Sequence, residues 1–553
     1  MNPIIPIGLL VSACLLQAAT AGSKPGPLPA GPEGVSGENL LNHIQILASD
    51  KFEGRGPGTA GEKLTVEYLI AQFKRLGLES GNPDGSYVQA VPLIGSRSTP
   101  NLSLKVNGSE LPLAYPLDYV ARSYRAQPEV VARNSEVVFA GYGIVAPEFG
   151  WDDFKDTDIR GKTVILIEGE PAAPDPHDPA KPDTTFFQGA VQTHYGTNAY
   201  KYAAAGLRGA AAVLIIHEPD TAFSSFSVVQ NNFRQEAFDL TSASPDRHPA
   251  AIEGRITLEA FQRLCLAAKQ DFPRLKLAAA DKSFRAVTLP ATATFSVHNE
   301  VREILSQNVV AKVTGSDPQL KDQVVIYTAH WDHLGRDAAL PGDQIYNGAI
   351  DNAAGVAQLL EIAAAFVRSP QRPKRSLLFM ATTAEEKGYL GARYYTTHPL
   401  FPLSLTLANI NLDASNLWGR TSDVVNLGYG LTTLDEVLAE TAASQQRTLV
   451  AEPFAGGSYF FVSDQVEFAK AGVPAVFPGT GSSYRGKSAD YGDQKWSEYG
   501  AKHYHQVSDE VRSDWDLSGT VEDVQWLWLI GYRIAEAEHF PEWKPGAGFQ
   551  RQR

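Results

Sequence analysis

The residues able to do chemistry gather in five short stretches of the 553-residue chain. "TAHWDHLG" at 328–335 sets His330, Asp332 and His333 just after the apolar run "QVVIY". "NGAIDNAAG" carries Asp351 ahead of a helical stretch, and "AEEKG" holds Glu385 and Glu386 side by side. "NINLD" ends at Asp413, and "KHYHQVSDE" supplies His503, Tyr504, His505 and Asp509. Each stretch alone has an ordinary explanation. An Asp-Asn turn caps helices by accepting from free backbone N–H groups. Paired glutamates commonly open a solvated helix, and histidines two apart are often exposed. Taken together, imidazole and carboxylate donors form the set that suits zinc or a similar divalent ion.

Such donors need elements that bring them together. From about residue 308 the pattern runs strand, loop, helix, strand. "DQVVIYTAH", "RSLLFMATT", "LTLANINLD" and "VPAVFPG" read as strands, and "NAAGVAQLLEIAAAFVRS" as a largely buried helix. Continuous apolar strands between helices predict an α/β fold, a mostly parallel, doubly wound mixed sheet with helices on both faces. Ligands bind such sheets outside the carboxyl ends of the strands. His330 and Asp413 stand at strand ends, and the second strand runs directly into Glu385 and Glu386. Upstream, "GENLLNHIQILAS" and "EKLTVEYLIAQFKRLGL" read as helices, the second stopping at Gly77. The loop between them, "GRGPGTAG", lacks the Lys-Ser/Thr ending of a phosphate cradle. The segment 129–292 changes texture, with strands in "SEVVFAGYGIV" and "GKTVILIEGEP", a polar loop, then helix and strand in "NAYKYAAAGLRGAAAVLIIHE".

The stretches "AHWDHLG", "YNGAIDNAAG", "TTAEEKGYLGARYY", "NINLD" and "YHQVSDE" resemble, in order, the metal-binding segments of the M28 family of dizinc metallopeptidases. "SDKFEGRGPGTAGEKLTVEYLIAQFKRLGLE" resembles the N-terminal helices of the same catalytic domain. "AGYGIVAPEFGWDDFKDTDIRGKTVILI" and "KYAAAGLRGAAAVLIIHE" resemble the protease-associated (PA) domain often inserted in these enzymes. The resemblance implies a zinc-peptidase fold in two parts, 35–128 and 293–545, around a β-rich α/β insert at 129–292. It implies two Zn2+ ions, with His330 and Asp413 on one, Glu386 and His505 on the other, and Asp351 bridging. Glu385 would be the general base, and Tyr504 would stabilise the tetrahedral intermediate. Asp332 would orient His330 through its other ring nitrogen, Asp509 would partner His505, and His333 and His503 would be supporting residues. Glu385 and Glu386 would diverge because side chains alternate along extended chain. One departure stands out: "SDQ" at 463–465 where many relatives have "SDH", which places substrate-side contacts of Gln465 in question.

Peptides are the expected substrates, with N-terminal residues removed. A carboxypeptidase is the nearest alternative. It would need a cationic clamp for the terminal carboxylate, for which Arg420 and Arg485 are candidates. A non-catalytic peptide-binding homologue is a further alternative, although no expected ligand is missing. The insert would either cover the active-site mouth or serve as a spacer. The net charge of −14 argues against nucleic acid as a partner. Residues 1–21 read as an export signal, an apolar run ending in small residues Ala19 and Ala21. "VSAC" offers a rival lipoprotein reading through Cys14, and no later segment reads as membrane-spanning. Only Cys14 and Cys265 exist, so a processed chain would have no internal disulfide. Cys265, in "FQRLCLAA", is expected to be a buried small hydrophobe.

Overall fold

The computed structural model describes residues 29, 32–173, 183, 186–187, 193–219, 225–242, 248–413, 415–452 and 459–551. The signal-like segment 1–21, with Cys14, lies outside the described residues, as does most of the polar loop 171–189.

Four apolar runs become neighbouring strands. In sheet order, Ala475–Gly479, Thr406–Asn411, Val324–His330 and Ser376–Thr382 lie side by side. Val324–His330 runs parallel to both of its neighbours. Every residue of Val324–His330 and Ser376–Thr382 is buried, as a parallel sheet covered on both faces requires. Alternate side chains serve opposite layers. Val325, Tyr327 and Ala329 pack with the helices Gly37–Leu47, Gly355–Arg368 and Ser518–Glu536. Val324 and Ile326 face Ala392, Tyr395 and Phe468. The sheet is therefore mixed, mostly parallel and doubly wound, as expected. Ala349–Arg368 is long and apolar enough to cross a bilayer, but 94% of its most apolar window is buried inside the fold.

The N-terminal helices follow their own signals. Ser36 caps Gly37–Leu47 by accepting from the Asn39 N–H at 3.1 Å. Ala60–Leu76 ends at Gly77, whose φ of 77° is the left-handed conformation glycine adopts freely.

Two long strands were not legible as such. Val88–Val106 and Val287–Val313 form an antiparallel ribbon, from Val88 opposite Val309 to Val106 opposite Ala291. One end of Val287–Val313 pairs with Ser376–Thr382, and the other with Glu129–Phe139. The ribbon thereby joins two lobes into one 16-stranded sheet. Beyond it, Glu129–Phe139, Thr163–Ile167, Ala212–His217 and Ile252–Thr257 run parallel, with Tyr119–Arg122 antiparallel at the edge. This second lobe has its own core. That core includes Leu102, Leu104, Val106, Tyr119 and Ala121, and extends to Phe295 and Val297. As a packing unit it therefore starts ahead of residue 129 and ends beyond 292. Cys265 is buried in it.

Candidate metal centre

The strand ends and the loops after them converge as the topology requires. His330 closes the strand Val324–His330, and Asp413 lies two residues beyond Thr406–Asn411. His330 Nε2 approaches Asp413 Oδ1 at 3.0 Å and Asp351 Oδ1 at 3.3 Å. His505 Nε2 approaches the other Asp351 oxygen at 3.1 Å and Glu386 Oε2 at 3.2 Å. Asp351 thus offers one oxygen to each imidazole, the arrangement of a bridging carboxylate. Zinc–donor distances of about 2.0–2.2 Å place two donors of one tetrahedral ion roughly 3.3–3.5 Å apart. The observed separations approach that value, so the donor set fits a pair of divalent ions. The oxygens or nitrogens of His330, Asp351 and Glu386 also lie within 4.8 Å of one another.

Neighbouring carboxylates favour a proton on each imidazole, and the imidazoles favour an ionised Asp351. Burial opposes a proton on His330, but the Asp413 and Glu385 carboxylates prevail and raise its pKa well above the usual histidine value. Burial likewise opposes charge on His505, and Glu386 and Asp351 outweigh it. Asp351 is held well below the carboxylate range. Burial acts against this, and hydrogen bonds from His330 and His505 overcome it. Glu385 moves the other way, raised well above its ordinary value by burial and by Asp413, Glu386 and Asp464, with His330 opposing.

Each donor is aimed by a second group. His330 Nδ1 meets the backbone carbonyl of Asp332 at 3.1 Å, whereas the Asp332 carboxylate stands 3.8 Å away. Asp332 therefore orients His330 chiefly through its main chain. Its Oδ1 accepts instead from the Glu385 N–H at 3.0 Å, fixing the loop that carries Glu385. Asp413 Oδ2 accepts from Ser463 Oγ at 2.6 Å, and Ser463 in turn accepts from Asn411 Nδ2 at 2.8 Å. His333 Nδ1 meets Glu386 Oε1 at 2.7 Å, with its side chain fully buried. It supports Glu386 directly, a tighter role than its sequence position suggested. Tyr504 stacks on His505, ring centroids 3.9 Å apart. Burial and the Asp351 and Glu386 charges raise its pKa well above the usual phenol value, so its hydroxyl stays protonated as a donor. His503 meets Ser508 Oγ at 3.0 Å on the exposed turn.

Two expectations are corrected. Asp509 does not bond His505. Its carboxylate accepts from the backbone N–H groups of Ile350 and Asp351 at 3.1 Å, and from Tyr499 Oη at 3.3 Å. It positions the bridging loop, because a carboxylate that accepts two backbone donors fixes their direction. The partner of His505 is Asn232, whose Oδ1 lies 3.0 Å from His505 Nδ1. Glu385 and Glu386 diverge on a turn rather than on extended chain, following Ala384 at φ 52°. Such a φ is uncommon for a residue with a Cβ, and it swings successive side chains apart.

Gln465 is fully buried and faces the scaffold. It accepts from Asn411 Nδ2 at 2.7 Å and donates to the Phe460 carbonyl at 2.8 Å. Arg485 pairs with Glu522 at 3.4 Å. Arg55 was missed. The guanidinium, 1% exposed, donates to the carbonyls of Leu47, Trp331, Asn347 and Gly348 at 2.6–2.8 Å. It ties the N-terminal loop to the segments carrying His330 and Asp351. Burial lowers its pKa to about 10 despite nearby carboxylates. Its only sequence signal was an arginine set among glycines.

The sheet and donor set together define a metallopeptidase-class domain. Residues 308–529 match peptidase family M28. The vacuolar membrane protease of Lachancea thermotolerans is 30% identical over 131 residues, 23% of this chain and 12% of that protein. Aminopeptidase NAALADL1 of Mus musculus is 34% identical over 126 residues, 22% of this chain and 15% of that protein. The matches thus span less than a fifth of these relatives' lengths. The fold of an aminopeptidase from Aneurinibacillus sp. strain AM-1 is similar over 94% of this chain and 98% of that one. Its TM-score is 0.52 at 18% identity.

Proposed function

We propose that the chain is an exported zinc aminopeptidase that removes N-terminal residues from peptides, with His330, Asp351, Glu386, Asp413 and His505 holding two ions. The observation that carries this reading is the division of the Asp351 carboxylate between two imidazoles, each paired with a further carboxylate. When bound, the ions would polarise the scissile carbonyl and make a neighbouring water more acidic.

The remaining steps fall to the chain's own residues. Glu385 takes the proton from the attacking water and passes it to the leaving amine. Among the described residues none donates a hydrogen bond to its carboxylate, which leaves the group available for that transfer. The same burial and neighbouring charge that raise its pKa make it a ready proton acceptor. Tyr504, protonated, donates a hydrogen bond to the oxyanion that forms on the carbonyl. The insert, in this reading a PA domain, reaches the site through the helix Phe226–Arg234, where Asn232 Oδ1 lies 3.0 Å from His505 Nδ1. Export is inferred from the apolar run within residues 1–21.

The test combines metal content with a comparison of free and N-acetylated peptides. Two equivalents of metal and cleavage of free peptides alone are expected. Equal cleavage of acetylated peptides would sink the aminopeptidase reading, and a protein that takes up no metal would sink the reading as a whole.

A further inference from the structure

We infer that Asn232, carried by the second lobe, is a positioning residue for His505, so that half of the metal centre is completed across the interface between the lobes. The inference rests on the two-metal reading above. Asn232 lies on the helix Phe226–Arg234, about 270 residues before His505 in the chain. His505 Nε2 points at Asp351 and Glu386. To bind metal there, that nitrogen must present its lone pair, so Nδ1 must carry the proton. Nδ1–H then needs an acceptor, and among the described residues the atom that serves, at 3.0 Å, is the Asn232 amide oxygen. The opposite amide orientation would set N–H against N–H.

The helix is held to perform this task. Asn231 Nδ2 donates to Gln506 Oε1 at 3.3 Å, on the residue after the ligand. Arg122, on an edge strand of the second lobe, donates to the Asn232 carbonyl and lies over the Phe233 ring at 4.1 Å. Arg234 Nη2 reaches Asp337 Oδ2 of the catalytic lobe at 2.9 Å. His505 itself sits at φ 55° on the turn after Tyr491–Lys502. A residue so strained needs outside support to keep its ring direction. Metal-bound imidazoles commonly rely on such an outer acceptor, and its loss typically costs about 10–100-fold in metal affinity.

The experiment uses the full-length metal-loaded protein and titrates retained metal against a graded chelator. For Asn232→Ala, one of the two equivalents should loosen by about 10–100-fold while the other is held as in wild type. Asn232→Asp keeps an acceptor and should restore the lost affinity. An aspartate rescue cannot come from a role in packing alone, and thermal melts of the metal-free proteins show whether either variant is misfolded. If Asn232→Ala releases both ions as wild type does, the inference fails while the function stands. It also fails if Asn232→Asp behaves like the alanine variant. A wild-type protein that binds no metal overturns the proposed function, and this inference with it.

Discussion

The two halves of the proposed metal centre are built differently. His330 and Asp413 sit at the ends of neighbouring parallel strands, and one of their two supports is a local main-chain group. A main-chain carbonyl two residues away aims His330, and Ser463 holds Asp413. Glu386 and His505 sit on turns, one after Ala384 at φ 52° and the other itself at φ 55°. Both of their supports are side chains, His333 for Glu386 and Asn232 for His505. Strand ends inherit precision from the sheet's hydrogen bonds, whereas turns must be braced by groups brought in from elsewhere. A main-chain acceptor cannot be lost by substitution, but the Asn232 acceptor can.

The comparison concerns ligand support, so its first control should leave both halves intact. Glu385→Gln removes the proton acceptor and no proposed ligand. Peptide turnover should fall by about 10²–10⁴-fold while metal content stays at the wild-type value. A variant that loses metal along with turnover would show Glu385 to be part of the ligand set. Arg55→Met acts on the frame that both halves share. It leaves the buried carbonyls of Leu47, Trp331 and Asn347 without their arginine donor, while that of Gly348 still accepts from the Ala353 N–H, at about 1–3 kcal/mol for each one unsatisfied. Chemical denaturation should show a loss of at least about 3 kcal/mol, and an unchanged midpoint would contradict the role assigned to Arg55.

Ser463→Ala and His333→Ala separate the halves. Each removes one hydrogen bond to a ligand carboxylate, so about tenfold weaker binding of one ion is expected, near the low end for outer partners. The ion affected should differ. Ser463→Ala should act with His330→Ala, and His333→Ala with Asn232→Ala. Double variants within one half should then couple, and double variants across the halves should be additive. Additivity throughout would erase the distinction drawn between the halves.

Legibility in the sequence follows the same division. Buried parallel strands announce themselves as unbroken apolar runs, so the catalytic sheet and the placement of His330 and Asp413 could be read directly. Glu386 and His505 were found by motif, because a turn has no periodicity. Their braces were not found, since Asn232 and Arg55 are ordinary polar residues whose meaning depends on contacts across some 270 residues of chain. The ribbon strands escaped for a related reason. Val88–Val106 carries Pro92, Gly95 and Pro100, residues that weaken a strand pattern, and it is only half-buried along much of its length. Its stability comes from a partner nearly 200 residues away. The continuity it creates also means that the insert is no detachable cover, because removing 129–292 would strip Val287–Val313 of one pairing partner and leave an open edge.

The smallest effect should come from the lobe interface itself. Arg234 and Asp337 pair at 2.9 Å, with the arginine side chain 31% exposed. A pair of this kind contributes roughly 0.2–1 kcal/mol. Arg234→Ala should therefore leave the fold and the His330 ion unchanged. The helix Phe226–Arg234 would still dock through Asn231 and Arg122, but less tightly. Because Asn232 lies on that helix, the loosening should appear as a rise of up to about fivefold in release of the His505-side ion, screened and reduced further at high salt. The arginine touches no ligand, so a selective effect on one ion reports mechanical coupling between the lobes. Equal acceleration of both ions would point to general loosening of the site, and no change would confine the coupling to Asn232 alone.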